Sequence, residues 1–444
     1  MTKRCIYLTF VGGNVPRETN YRWGDEVSTN RYFQLTALDW MRRSVIPFHP
    51  DEVWVVLTKR ARELWGTAPE EGKLSLREQL YAQAEHMGIL IKEVDFDQEP
   101  CDQSVWRNFD VLVRKLAEVS EDLRSEAEVR LAVDVTHSFR YFPMLVLTLL
   151  HYAHVVQGAE LDLILYAVET GDVLDLTALA QLQQWVLEMH RALKGPDASG
   201  VERLVREVKE SVAGRDRSRR SLLGPLQTFS EKWNMLWEAL RLTKHFEVSS
   251  AASATIEALE ECERCFMQHE DEMVDFLPLS RILKQVREQI EPLCEKEWMP
   301  LMLAMVRWYL DRGMIHQAYT TMRELYITEA CILAGVNVFD HDKREALKNL
   351  AYAQRGEAKR ASDENESFSA IISELSQEQR ADISAFQNQF NADIDAVSQY
   401  RNQLNHGFFQ KNLPKTRETK FRDRLLEFVR HLEDFKKPRE GGHI

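Results

Sequence analysis

The sequence predicts an α/β Rossmann-like N-terminal domain followed by an all-α middle and C-terminal region, and three observations carry that prediction. From Cys5 to about Leu193, short apolar runs alternate with amphipathic segments. That order builds a mostly parallel sheet with right-handed crossovers and helices on both faces. A cluster of turn residues, Gly195-Pro196-Asp197-Ala198-Ser199-Gly200, closes the alternation. Beyond it, apolar residues recur at helical spacing almost to the C-terminus. The expected domains are 1–194, 195–298 and 299–444.

The elements follow in order. CIYLTFV from Cys5 opens the sheet, and a helix is expected around Asn30 to Val45. EVWVVLT, ending at Thr58, is an apolar run rich in β-branched residues and reads as a buried strand. A helix over Leu76 to Met87, the strand ILIKEV and a helix over Val105 to Val119 come next. Val129, Leu131, Ala132 and Val133 form a strand that ends at Asp134, and the apolar run from Phe139 to Val156 continues as a helix. LDLILYAV, a turn at Gly171-Asp172, VLDL and a helix from about Ala178 complete the domain. Farther on, the stretches from Pro300 to Gly313, His316 to Gly335, Ala381 to Arg401 and Phe421 to Phe435 read as helices. A polar stretch runs from Asp340 to Gln379, and within it Arg355 to Phe368 reads as a mobile loop between helices.

Composition excludes several classes. The chain has 444 residues with 57 Lys+Arg against 70 Asp+Glu, a net charge of −13, so it is no polycation that coats nucleic acid, and any such contact must be local. The six cysteines are scattered and no signal peptide is read ahead of Cys5, which points to a reducing cytoplasm. The longest apolar run, Phe142 to Val156, falls short of the roughly 20 residues a bilayer needs and contains His151 and His154, so no membrane span is expected. Cys262 and Cys265 stand without a second pair at metal spacing and read as thiols on a helix rather than zinc ligands. The first loop, Val11-Gly12-Gly13-Asn14-Val15-Pro16, lacks the Gly-x-Gly-x-x-Gly fingerprint, which argues against a dinucleotide enzyme.

Two segments carry chemistry. In Asp134 to Arg140 a carboxylate, two hydroxyls, an imidazole and a guanidinium sit where a strand gives way to a helix. In open α/β sheets the crevice beyond such strand ends takes ligands, and a helix start suits a phosphate. The second segment holds Arg401, Asn402 and His406, with Asn402 and His406 four residues apart on one helical face. An imidazole with an ordinary pKa of about 6.5 moves protons near neutrality, and a guanidinium holds phosphate through paired hydrogen bonds. Together they suit cleavage of RNA by its own 2'-hydroxyl. The Arg-to-His spacing alone is a weak pattern, since Arg264 and His269 repeat it without the Asn. Arg401 is favoured by its Asn neighbour, by the long helix before it and by the basic tail, which has eleven Lys+Arg against six Asp+Glu from Arg401 to Ile444. The basic run Gly214 to Arg220 reads as an exposed loop or a helix end.

Both segments resemble one family, the CARF-HEPN ribonucleases of type III CRISPR systems. Asp134-Val135-Thr136-His137-Ser138-Phe139-Arg140, followed by Pro143, is similar to that family's Asp-x-Thr-His-Gly-Phe-Arg. Arg401-Asn402-x-x-x-His406, with an earlier helix carrying Glu324, is similar to its nuclease motif. Ser138 departs from the family's Gly, and Gly12-Gly13-Asn14 departs from its Gly-Thr-Gly. The resemblance covers most of the chain and is thinnest from about 195 to 295. It implies a sensor that binds cyclic oligoadenylate through Gly12, Gly13, Asn14, Thr58, Lys59, Thr136, His137, Ser138, Phe139 and Arg140. Cyclic tetra-adenylate is the expected ring and cyclic hexa-adenylate the alternative. It further implies a homodimer, or a higher oligomer, that cuts single-stranded RNA without a metal or other cofactor. His406 would act as acid or base, Arg401 would hold the phosphate and Asn402 would orient it. A competing expectation is a non-catalytic nucleotide sensor that recruits a partner or DNA through its helical half, with Arg401 and His406 structural.

Overall fold

The structure, a computed structural model, describes residues 3–99, 101–122, 128–138, 141–195, 199–215, 217–353, 373–405 and 418–436. The chain divides into two compact units, Met1–Gln184 with Glu210–Arg217, and Trp185–Lys209 with Ser218–Ile444.

The first unit is built on β1 (Lys3–Phe10), β2 (Thr19–Trp23), β3 (Glu26–Asn30), α1 (Phe33–Arg42), β4 (Glu52–Thr58), α2 (Lys59–Trp65), α3 (Leu76–Met87), β5 (Leu90–Phe96), α4 (Asp102–Asp122), β6 (Glu128–Asp134), α5 (Phe142–Gln157), β7 (Glu160–Ala167) and β8 (Val173–Asp175). Six strands form one sheet in the order β5-β4-β1-β6-β7-β8, parallel throughout except for the last pair. Successive side chains of a strand point to opposite faces. Ile6, Leu8 and Phe10 therefore pack with Leu112 and Leu116 of α4 and with Phe142 and Leu149 of α5. Tyr7 packs on the other side with Phe33 and Trp40 of α1 and Leu80 of α3. Helices on both faces explain why the strands read as continuous apolar runs rather than as alternation.

Two features of this unit depart from the sequence reading. β2 and β3 pair as an antiparallel hairpin outside the main sheet, turning at Gly24 with φ +56°. Only Tyr21 of the two strands is buried, so they offer no apolar pattern. The hairpin docks on the turn before β8: the Arg22 amide donates to the Gly171 carbonyl at 2.8 Å, and Arg22 pairs with Asp172 at 2.9 Å. The helix expected from Phe139 begins at Phe142 with Pro143 in its first turn, where a missing N–H does no harm.

The remaining helices are α6 (Thr177–Lys194), α7 (Ser199–Arg215), α8 (Arg217–Leu222), α9 (Gly224–Arg241), α10 (His245–Gln268), α11 (Leu277–Ile290), α12 (Trp298–Asp311), α13 (Ile315–Leu333), α14 (His341–Ala353), α15 (Gln377–Asn405) and α16 (Glu418–Lys436). Within the basic run, Gly214 and Arg215 end α7 and Arg217 opens α8, the helix-end reading, while Asp216 lies outside the described residues. The polar stretch after Asp340 is helical over α14, while 355–368 lies outside the described residues. In the second unit aromatic side chains lock α13, α15 and α16 together. Tyr319 packs on Tyr400 and Phe421, with ring centroids 5.6 and 5.8 Å away, and its hydroxyl donates to the Phe421 carbonyl at 3.0 Å. Tyr326 packs on Phe386 and Phe390. The His431 ring nitrogen Nδ1 lies 2.7 Å from Asp393 Oδ2, tying α16 to α15.

Candidate functional site

The strand order reverses between β1 and β6, the two strands that lead out of the centre of the sheet to opposite edges. Loops beyond the carboxyl ends of such a pair part and leave a crevice. Here it has a volume of about 480 Å³. Val11 to Asn14 after β1 and His137 with Ser138 after β6 form two of its walls, and Thr58, Arg60 and Gln98 come from the ends of β4 and β5.

Asp134 shapes this turn from beneath. It is fully buried, and its Oδ2 accepts from the Thr9 hydroxyl at 2.7 Å while its Oδ1 accepts from the Thr136 amide at 2.8 Å. One carboxylate thereby joins the ends of β1 and β6, and burial holds its pKa above the ordinary carboxylate value. Two hydroxyls are also committed to the turn. Thr136 Oγ1 accepts from the Ala167 amide at 2.9 Å, and Ser138 Oγ donates to the Val135 carbonyl at 2.8 Å. His137 differs from its neighbours. Its Nε2 is buried and has no hydrogen-bond partner among the described residues. Burial lowers its pKa although Asp134 pulls the other way, so the ring is neutral at pH 7.

The glycines permit close approach. A Cβ on Gly12 would lie 3.5 Å from the His137 Cβ, and one on Gly13 would lie 3.3 Å from the Arg60 Cδ. Arg60 is a crevice residue that the sequence reading passed over. Its guanidinium donates to Asn14 Oδ1 at 3.0 Å and its amide donates to Gln98 Oε1 at 3.0 Å. Thr58 and Lys59, both expected among the ligand contacts, differ in the structure. Thr58 lines the crevice, but its hydroxyl caps α2 by accepting from the Ala61 amide at 3.3 Å. Lys59, the first residue of that helix, is exposed and lines no part of the crevice. A strand-end Thr running straight into a helical pattern was the signal that could have moved attention from Lys59 to Arg60. Phe139 and Arg140 lie outside the described residues.

In the second unit, Arg401 and exposed Asn402 lie on the last described turns of α15, and His406 lies outside the described residues. Arg401 turns toward Asn405, one turn on. With its amide assigned so that the oxygen meets the donor-only guanidinium, Asn405 accepts from Arg401 Nε at 3.0 Å and Nη1 at 3.3 Å and donates to His316 Nε2 at 3.1 Å. His316 is the second residue of α13, and Tyr319 packed at a tilt on Tyr400 holds the two helices together one turn away. Glu324 stands eight residues after His316, roughly 12 Å along the helix axis. It pairs with Arg344 at 2.8 Å and Arg323 at 2.6 Å and braces α14 on α13. Neither His316 nor Asn405 was foreseen.

Cys262 and Cys265 are buried on α10, where burial pushes the Cys262 thiol up to about 12. Among the described residues no three His, Cys, Asp or Glu side chains converge as metal ligands, and no helix is long and apolar enough to cross a membrane.

No family model and no curated protein matches the sequence. Among solved structures, the chain is similar to Enterococcus italicus Csm6 bound to cyclic hexa-2'-fluoro-hexa-dAMP, at 12% identity and a TM-score of 0.34, covering 98% of this chain and 95% of that one. Likeness at that level does not reach the residues of either site.

Proposed function

We propose that this chain is a cyclic-oligoadenylate-activated endoribonuclease of the CARF-HEPN kind its motifs resemble, acting in type III CRISPR antiviral defence. The observation that carries the reading is the crevice at the strand-order reversal, where backbone, an unpaired neutral imidazole and one guanidinium converge. An adenine edge offers acceptors and an amino group, and its phosphates offer only acceptors. The His137 ring, the Gly12 and Gly13 backbone and Arg60 line the crevice and match those needs. In this reading residues 1–194 form the sensor, 195–298 the connection and 299–444 the nuclease. Phe139 and Arg140 complete the ligand contacts, and the ring is cyclic tetra-adenylate, with cyclic hexa-adenylate as the alternative.

Cleavage follows from the second site. The RNA 2'-oxygen attacks the adjacent phosphorus, the bond to the 5'-oxygen breaks, and a 2',3'-cyclic phosphate and a 5'-hydroxyl form. His406 moves one of the two protons, Arg401 holds the charged phosphate and Asn402 orients it. A ring ligand suits a two-fold axis, and a second copy has a surface to meet. Met144, Tyr152, Val155 and Val156 form an exposed apolar stripe at helical spacing on α5, and Trp106 of α4, 69% exposed, extends it through Phe109. Activation requires the ring to bind the cleaving state more tightly than the resting one.

The test is cleavage of labelled single-stranded RNA in chelator, with and without each ring, beside His406→Ala and Arg401→Ala. Ring-dependent cleavage lost in both variants supports the reading. Ring binding without cleavage moves it to a non-catalytic regulator, and strict metal dependence refutes the mechanism.

A further inference from the structure

Arg401 is a donor-only side chain, so the Asn405 atom facing it must be the carbonyl oxygen. The Asn405 amide group is then left for His316, and an amide N–H can only meet an imidazole nitrogen that carries a lone pair. With the amide so assigned, the chain of contacts runs from Arg401 to Asn405 at 3.0 Å and from Asn405 to His316 at 3.1 Å. In that orientation the contact calls for a lone pair on His316 Nε2, which puts the ring proton on Nδ1.

We infer that His316 is a positioning residue for Arg401, acting through Asn405 as a neutral hydrogen-bond acceptor. The inference rests on the reading of Arg401 as the group that holds the scissile phosphate. A free arginine side chain samples many rotamers. Here Asn405 engages Nε and one terminal nitrogen, which fixes the plane of the guanidinium and leaves its remaining N–H groups for a phosphate. Asn405 could rotate its amide by half a turn if nothing held its other end, and His316 supplies that hold. Tyr319, one turn after His316, packs at a tilt on Tyr400 beside Arg401, so α13 delivers the imidazole on a braced helix. Nothing else in the sequence ties residue 316 to residue 401.

Two variants separate positioning from bulk. His316→Gln keeps an acceptor at nearly the same reach, whereas His316→Leu removes it and leaves a side chain of comparable size. With saturating ring, we expect Leu to lower kcat on the order of 100-fold, the loss that follows a misplaced reacting group, and Gln to restore most of it. Equal loss in Gln and Leu, or no loss in Leu while Arg401→Ala is inactive, overturns the inference. A second readout needs no cleavage at all. Nitrogen chemical shifts of histidine-labelled protein at pH 7.5, with His316→Gln supplying the assignment, should show the Nδ1–H tautomer, and Asn405→Leu should abolish that bias. An Nε2–H or doubly protonated ring overturns the inference whatever the RNA assay shows. If Arg401→Ala and His406→Ala both cleave normally, the nuclease reading fails instead, and the tautomer result still decides whether the contact exists.

Discussion

Acidification from pH 7 to pH 5 should weaken the helical unit through one residue, His245. This first residue of α10 places Nε2 3.0 Å from the Thr321 hydroxyl, and burial pushes its pKa down to about 4, with Glu324 raising and Arg344 lowering it by smaller amounts. In the unfolded chain the ring has its ordinary pKa of about 6.5. Between those values the unfolded chain binds a proton that the folded chain refuses, so stability falls as pH drops through about 6.5 and stops falling below about 4. The whole shift corresponds to about 3 kcal/mol, of which about 2 kcal/mol is lost between pH 7 and pH 5. Carboxylates titrate over part of the same range, and a variant removes their contribution. His245→Gln keeps a hydrogen-bonding group near Thr321 and cannot take up a proton. Urea unfolding followed by circular dichroism, for both proteins at both pH values, should show the wild type losing about 2 kcal/mol more than the variant. Parallel losses in the two proteins would refute the reasoning, since they would mean that His245 is not kept neutral by its surroundings.

Two further outcomes are expected. Thr9→Val keeps the shape of the side chain but strips the buried Asp134 carboxylate of its 2.7 Å donor; it should cost about 2 kcal/mol in thermal unfolding and weaken cyclic tetra-adenylate binding measured by calorimetry. Met144→Glu with Trp106→Glu places charge on the exposed stripe of α4 and α5, and should shift the chain to a monomer in sedimentation velocity and abolish ring-stimulated cleavage, while circular dichroism stays unchanged.

Legibility in the sequence followed burial. Glu52 to Thr58 is buried at every position, so a continuous apolar run located it end to end. α3 was equally plain because Ser75 and Glu78 form a capping box and Gly88 closes the helix at φ +68°. The hairpin β2–β3 was not legible, since its strands are polar and are held by contacts with Gly171 and Asp172 some 150 residues away. The turn after β6 stood out because polar groups interrupt an apolar context. Its internal division of labour did not, for only the fold shows that the Asp134, Thr136 and Ser138 side chains shape the turn while His137 lines the crevice with its Nε2 buried and unpaired among the described residues. The same limit applies to His316. Local spacing could have found Asn405, four residues after Arg401, but an imidazole delivered from another helix has no signature along the chain.

The carboxylate of Asp134 has a consequence for how the crevice can respond. Because it clasps the ends of β1 and β6 at once, those ends cannot spread to admit an oversized guest without exposing or orphaning a buried acid. Adjustment is left to the loop above, Gly12 to Asn14. A slot with a rigid floor measures its guest by depth, so a nucleotide ring should be sorted by how far its bases reach down rather than by how widely it spans.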